Sequence, residues 1–319
     1  MLFDSVLVII GLVLLFFGGE WLVRGSVVIA ERLGLSHVLI GVVVVGFGTS
    51  APELFVAVNA VLENRPDIAV GNVVGSNIAN ILLVLGCAAM IYPVFCKDAV
   101  IKRDAIIVVL ASILLIGLAW FGVISRIAGG VMVSALILYL FYCYKAEKKQ
   151  AVTGDSPSDI AQDLTDFSDA KTPLVKGMIF AAGGMFLLVF GADWLVTGAS
   201  NIARVFNVSE AVIGLSLVAI GTSLPELATA IAASLKKHSD VLIGNILGSN
   251  LFNILSILGI SALVKPVAIS SNFIQFDMPL GLATAVIALI IIIFVKAFTR
   301  FIGALFLIAY LFYLGYLFV

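Results

Sequence analysis

Apolar residues fill this chain in long blocks, broken more often by single polar residues than by polar stretches. A helix needs about 20 largely apolar residues to cross a bilayer. Ten such blocks can be counted, centred near residues 12, 48, 80, 112, 134, 187, 221, 252, 285 and 308. The pattern predicts an all-α polytopic membrane protein of about ten transmembrane helices. The only long polar stretch, Lys145 to Pro173, leaves five blocks on either side of it. This gives a first half over 1–144, a linker over 145–173 and a second half over 174–319. The linker aspartates at 155, 159, 163, 166 and 169 read as a solvated face rather than a cation sensor.

Composition agrees, because soluble domains do not combine 62% hydrophobic with 12% charged residues. The first block lacks a basic flank and Gly18-Gly19-Glu20-Trp21 is a poor cleavage site, so it reads as a spanning helix and not a signal peptide. Cys87, Cys96 and Cys143 have no metal-ligand spacing and are read as small core fillers. A net charge of -1, with no Gly-rich phosphate loop and no HExxH, leaves nucleic acid, nucleotide and zinc-hydrolase functions without support. No cofactor and no obligatory protein partner is expected; ions and the lipid bilayer are.

Basic residues are retained on the cytoplasmic side of a membrane. With the N-terminus outside, Arg32, Lys97, Lys102, Arg103, Lys145, Lys236, Lys237, Lys296 and Arg300 all fall inside, as does the linker. Only Arg65, Arg126, Arg204 and Lys265 fall outside.

The blocks are not independent of one another. "GTSAPEL" at 48–54 returns as "GTSLPEL" at 221–227, so Glu53 and Glu226 are 173 residues apart. At the same offset "DIAVGNVVGSNIANIL" from Asp67 aligns with "DVLIGNILGSNLFNIL" from Asp240, 9 of 16 positions being identical. Trp21 maps onto Trp194 and Asp104 onto Asp277. The chain is therefore two copies of one five-helix unit. Five is odd, so the second copy enters the membrane from the opposite side. Inverted repeats of this kind hold ions near the midplane where the copies meet.

An ionised Glu at the bilayer centre costs roughly 2.5 to 3.5 kcal/mol on insertion scales, and such residues mark function. A cation between Glu53 and Glu226 compensates that cost better than a pair of protonated core carboxyls. Thr49 and Ser50 share the helix face of Glu53, as Thr222 and Ser223 share that of Glu226. Pro52 and Pro225 have no N–H, so carbonyls near Gly46–Thr49 and Ala219–Thr222 are expected to lose helical partners. Backbone opened at this depth is tolerated where it lines a polar cavity. On the next helix of each repeat, Asn72, Ser76 and Asn80 form one stripe, repeated as Asn245, Ser249 and Asn253. Ser76, Asn80, Ser249 and Asn253 are candidate ligands. Asn72, Asn77, Asn245 and Asn250 suit ligation and interhelical hydrogen bonding equally. Such a set, all oxygen with no sulfur or imidazole, suits a hard cation, and calcium better than magnesium or zinc. Two carboxylates neutralise one calcium or two sodium ions, which is the charge balance of obligate exchange.

These paired motifs, "GTSAPEL" with "GNVVGSNIANIL" and "GTSLPEL" with "GNILGSNLFNIL", resemble the alpha-repeats of sodium/calcium exchangers of the prokaryotic type. The resemblance covers nearly the whole chain outside the linker. It implies ten helices in two inverted sets of five, with the second, third, seventh and eighth forming an ion-binding core across which the first and sixth slide. It implies calcium ligation by Glu53 and Glu226 with backbone oxygens of Thr49 and Thr222. Sodium would draw on Ser50, Ser76, Ser223, Ser249 and the carbonyls of Gly46 and Ala219, with Asn80 and Asn253 completing the ring. Some family members carry aspartate where this chain has Asn253, so the central charge here is -2 and not -3. The expected function is sodium/calcium antiport in a prokaryotic inner membrane. A calcium/proton exchanger, an intramembrane acid–base enzyme and a passive channel are the alternatives. Hydroxyls at four serines favour sodium over protons, and nothing beyond the paired acids favours an enzyme. A channel would repeat its filter by oligomeric symmetry.

Glu20 and Asp193, also repeat-matched, suit either gating or a helix-end role in which Arg24 pairs with Glu20. Asp104 and Asp277 read as interfacial, and His37 and His238 as solvated residues of connections.

Overall fold

A computed structural model describes residues 2–153, 172–206 and 219–317. Among them are ten helical segments, one per apolar block: α1 (Leu2–Leu33), α2 (His37–Thr49 with Ala51–Leu62), α3 (Pro66–Ile91), α4 (Ala99–Ala119), α5 (Arg126–Thr153), α6 (Leu174–Val205), α7 (Ala219–Thr222 with Leu224–Leu235), α8 (Ser239–Val264), α9 (Phe273–Val295) and α10 (Arg300–Leu317). Helices α1, α3, α5, α6, α8 and α9 are long and apolar enough to cross a bilayer unbroken. By the same measure α2 qualifies only as a bent pair, its halves meeting at 46°. The linker expected over 145–173 lies mostly outside the described residues, and α5 itself runs on to Thr153.

The bend in α2 follows from its sequence. Pro52 cannot donate to the preceding turn, so it opens a new helix rather than continuing the old one. Ser50, at the junction, leaves helical geometry with φ -83 and ψ 5. Ser223 does the same before Pro225, with φ -88 and ψ 3. The duplicated motif thus produces a duplicated break.

Two short antiparallel clips show the inversion. Strand β1 (Val94–Phe95) pairs with β4 (Ala297–Phe298), and β2 (Val123–Ile124) pairs with β3 (Val267–Ala268). The first clip joins the α3–α4 and α9–α10 connections; the second joins α4–α5 and α8–α9. They therefore sit on opposite faces of the membrane. Repeat matching turns β1 into β3 and β2 into β4, so the two clips exchange under one internal two-fold. The face carrying the first clip also carries Lys97, Lys236, Lys237 and Lys296, and is called the basic face below. Asn64 and Lys237, themselves 173 apart, both adopt the left-handed conformation (φ 61 and 60) where α2 and α7 end.

The repeat offset slips once. Asp104 and Asp277 are 173 apart, but Tyr139 and Tyr313, which hydrogen-bond to them, are 174 apart. The additional residue of the second repeat falls in α9, which holds a π-helical turn at Ile291–Val295 where α4 is regular. A π turn is how a helix absorbs one residue without changing what either end faces.

Helices α3 and α8 occupy the middle, and α8 is buried along nearly its whole length. Close approach there depends on glycine. A Cβ on Gly244 would stand 2.5 Å from the Val38 carbonyl oxygen, and one on Gly248 2.6 Å from Val42 Cα. At the periphery α1 lies along α6 through a seven-residue glycine rhythm, Gly11, Gly18 and Gly25 against Gly177, Gly184 and Gly191. A Cβ at Gly25 would come within 2.4 Å of the Ala181 nitrogen. With lipid tails as apolar as leucine, such backbone contact is what holds membrane helices together. Large apolar side chains such as Phe3, Phe121, Ile127 and Phe312 remain exposed on the outside, as a protein solvated by lipid requires.

Candidate cation site

The two breaks bring the two acids together. Glu53, in the first turn of the second half of α2, and Glu226, its equivalent in α7, are each 1% exposed. Ser50 Oγ donates to Glu226 Oε1 at 3.4 Å, a bond that crosses from one repeat to the other. Glu53 Oε2 and Glu226 Oε2 are buried with no hydrogen-bond partner in the protein.

The asparagines sort into two roles. Asn77 Nδ2 donates to the Asn250 carbonyl at 3.3 Å, and Asn250 Nδ2 returns the bond to the Asn77 carbonyl at 3.4 Å. Asn80 Nδ2 then donates to Asn250 Oδ1 at 3.1 Å, and Asn253 Nδ2 to Asn77 Oδ1 at 3.0 Å. The four amides form a two-fold lock between α3 and α8. Asn77 and Asn250 are consumed by it. Asn80 and Asn253 spend only their nitrogens, and their Oδ1 atoms are left buried without partners. An unpaired buried polar atom costs ~1–3 kcal/mol, so four such oxygens, two of them carboxylate, suit a hard cation that accepts many oxygen ligands.

The remaining residues distinguish the two halves. Thr49 Oγ1 donates to Asn245 Oδ1 at 3.2 Å and meets Ser249 Oγ at 3.3 Å. The Gly46 carbonyl lies 3.4 Å from each of the Thr49 and Ser249 hydroxyls and accepts from Ser50 N at 3.1 Å. The expectation that Pro52 strips Gly46 of its helical partner is therefore corrected: Ser50 N, four residues on, still donates to its carbonyl. Asn72, the equivalent of Asn245, instead donates to the Glu53 carbonyl at 3.2 Å. Ser76 is buried, Ser223 Oγ is buried and without a partner, and Thr222 is half-buried. Ala219 opens the turn that ends at Thr222; residues 207–218 before it lie outside the described residues, as does its own side chain. Both the upstream half of α2 and the site ends of α3 and α8 carry π-helical turns, at Gly41–Gly46, Asn80–Val84 and Phe252–Leu258. No sequence pattern announced them.

Other expectations change. The Arg24 guanidinium lies over the Phe180 ring at 5.1 Å. Glu20 Oε1 instead pairs with Lys236 Nζ on α7 at 3.0 Å. Asp104 is buried and accepts from Arg103 at 2.7 Å and Tyr139 at 2.5 Å. Asp277 accepts from Tyr313 at 3.1 Å. Neither belongs to the site. His238 is 8% exposed rather than solvated, and His37 is half-buried. Burial pushes the His238 imidazole down to about 4, with His37 and Lys236 adding to the effect.

The family profile described as "Sodium/calcium exchanger protein" matches residues 4–145 and 176–319, both halves of the chain. The chain belongs to the sodium/calcium exchanger family. Similar to this exchanger are the putative antiporter CaxA of Alkalimonas amylolytica, 36% identical over 83% of this chain and 82% of that protein, and the sodium/calcium exchanger MaX1 of Methanosarcina acetivorans, 30% identical over 91% of each. The solved sodium-calcium exchanger NCX_Mj, soaked with Na+ and Sr2+, superposes with a TM-score of 0.83 at 28% identity, covering 98% of both chains. The exchanger is thus an integral membrane transporter of the cation/calcium exchange class and not an enzyme.

Proposed function

We propose that this exchanger carries sodium one way and calcium the other through a single site between its repeats, by alternating access. The observation that carries the reading is the pair of buried acids, one from each repeat, whose free Oε2 atoms accompany the free Oδ1 atoms of Asn80 and Asn253. Glu53 and Glu226 bind calcium, with backbone oxygens of Thr49 and Thr222. Ser50, Ser76, Ser223 and Ser249, with the carbonyls of Gly46 and Ala219 and the amides of Asn80 and Asn253, complete the sites that sodium takes in turn. Two carboxylates balance one calcium or two sodium ions, so a third sodium makes exchange electrogenic. The acids and amides are buried and every acceptor is oxygen, which favours ions that exchange hydration for protein oxygens. Residues 1–144 and 174–319 act as the two units, joined by a linker on the cytoplasmic side. The basic face is the cytoplasmic face of a prokaryotic inner membrane, since it holds most of the lysines and arginines.

The test is calcium uptake into proteoliposomes under an imposed ion gradient. Uptake driven by an outward sodium gradient, and absent in Glu53→Ala and Glu226→Ala, is the expected result. Uptake that ignores sodium but follows a proton gradient replaces sodium by protons as the return load.

A further inference from the structure

The two repeats share a sequence but not a conformation. On the basic face α1 touches α7: a Cβ on Gly19 would stand 2.8 Å from the Ala228 carbonyl oxygen and 3.3 Å from Ala232 Cβ. One turn towards that face, Glu20 pairs with Lys236 at 3.0 Å, each side chain about 30% exposed. Among the described residues the repeat-matched contact, α6 against the second half of α2, is marginal beside it. Phe55, which matches Ala228, is 71% exposed, and Glu63, which matches Lys236, is exposed and turned to Arg65 at 3.7 Å. Asp193, which matches Glu20, is exposed as well. A transporter of inverted repeats reaches its other state when each repeat takes up the arrangement of its partner. The described state is therefore closed on the basic face, and the other state closes by bringing α6 onto α2.

The offset of 173 residues specifies what that second closure would juxtapose. Where Gly19 meets Ala228 and Ala232, Ala192 would meet Phe55 and Asn59. Where Glu20 meets Lys236, Asp193 would meet Glu63. Lys236 and Glu63 both cap their helices and precede the paired left-handed residues Lys237 and Asn64, so this correspondence is in register. One closure is small against small with opposite charges; the other is large against small with like charges.

We infer that Glu20 and Lys236, with the Gly19–Ala228 contact, form a latch that closes the basic face, and that divergence at Ala192, Phe55, Asp193 and Glu63 leaves the opposite face without one. The transport cycle is thereby biased towards the state opened away from the basic face. The latch acts on the equilibrium between states and touches no ion. The inference rests on alternating access as proposed above, but not on which monovalent ion is carried.

Spin labels at Glu31 and Lys296, both exposed on the basic face, report its opening by electron–electron distance measurement. The full chain is used in lipid nanodiscs with saturating calcium, its three cysteines replaced. The parent is expected to give mainly the short distance. Glu20→Lys should enlarge the long-distance population about two- to fivefold, the effect of an ion pair of this exposure, and Glu20→Gln should do so less. Glu20→Lys combined with Lys236→Glu should return it to the parental value. Glu63→Lys, which sets an opposite charge across from Asp193, should enlarge it without touching the latch. A parent distribution dominated by the long distance, no change in Glu20→Lys, or a double reversal that stays shifted would overturn the latch. Loss of calcium flux in the proteoliposome experiment would overturn the transport reading instead, since the distances do not depend on it.

Discussion

Around the paired acids the repeats share their main features: Ser50 and Ser223 break their helices with almost the same backbone angles, and Asn77 and Asn250 exchange the same hydrogen bond in both directions. At the faces they are not, since one offset sets Lys236 against Glu63 and Ala228 against Phe55. The difference follows from what each region must do. A midplane site has to present the same oxygens to either side, so duplication serves it directly. The two faces meet different solutions and need not close equally well, so nothing holds their sequences together.

The strongest way to break the comparison is at the acids. Glu53→Gln and Glu226→Gln should each lower calcium flux about 100-fold or more, because removing one of two charges around a divalent ion forfeits several kcal/mol of binding. Unequal losses, one variant retaining most of its flux, would show that the site is not shared evenly. The amide lock tests the same symmetry through stability. Asn77→Leu and Asn250→Leu each remove two donor–acceptor contacts and strand their partners, so each should cost about 2 kcal/mol, read as similar falls in thermal midpoint in detergent.

The Asp–Tyr pairs should show divergence instead. Asp104→Ala strands the guanidinium of Arg103, which is 23% exposed, and should cost about 2 kcal/mol. Asp277→Ala, with Phe276 where Arg103 stands, loses a tyrosine hydrogen bond and should cost about 1 kcal/mol. Equal costs in denaturation midpoints would remove that distinction.

A pH dependence comparable in size to these losses is expected at His238, whose equivalent in the first repeat is Arg65. Its imidazole titrates at about 4 in the folded protein, below the value near 6.5 of an unfolded histidine. The unfolded state therefore binds the proton first. His238 contributes stability that is full above about pH 6.5 and is lost as pH falls through about 4. The thermal midpoint of the parent should fall by a few degrees between pH 7 and 5, and that of His238→Phe should fall less.

Much of the candidate site is legible in the sequence, because a duplicated acid in an apolar block has few explanations. Glu53, Glu226, Asn80 and Asn253 are all buried, and each leaves an unpaired oxygen. The role of Asn77 against Asn80 was not legible. Both lie in one "GSNIAN" segment and both can donate and accept; only the facing helix determines which amide keeps its oxygen free. The partner of Glu20 was equally hidden, since local spacing offered Arg24 while Lys236 arrives from 216 residues away.

By itself the sequence determined ten helices, two inverted units and an oxygen-only candidate site, because hydropathy, an odd helix number and a repeated motif act locally or by count. Tertiary structure alone decided which face is closed, which amides lock α3 to α8, and where π-helical turns absorb an inserted residue. Those depend on distances between residues far apart in the chain, and two closely similar motifs can satisfy them in two different arrangements.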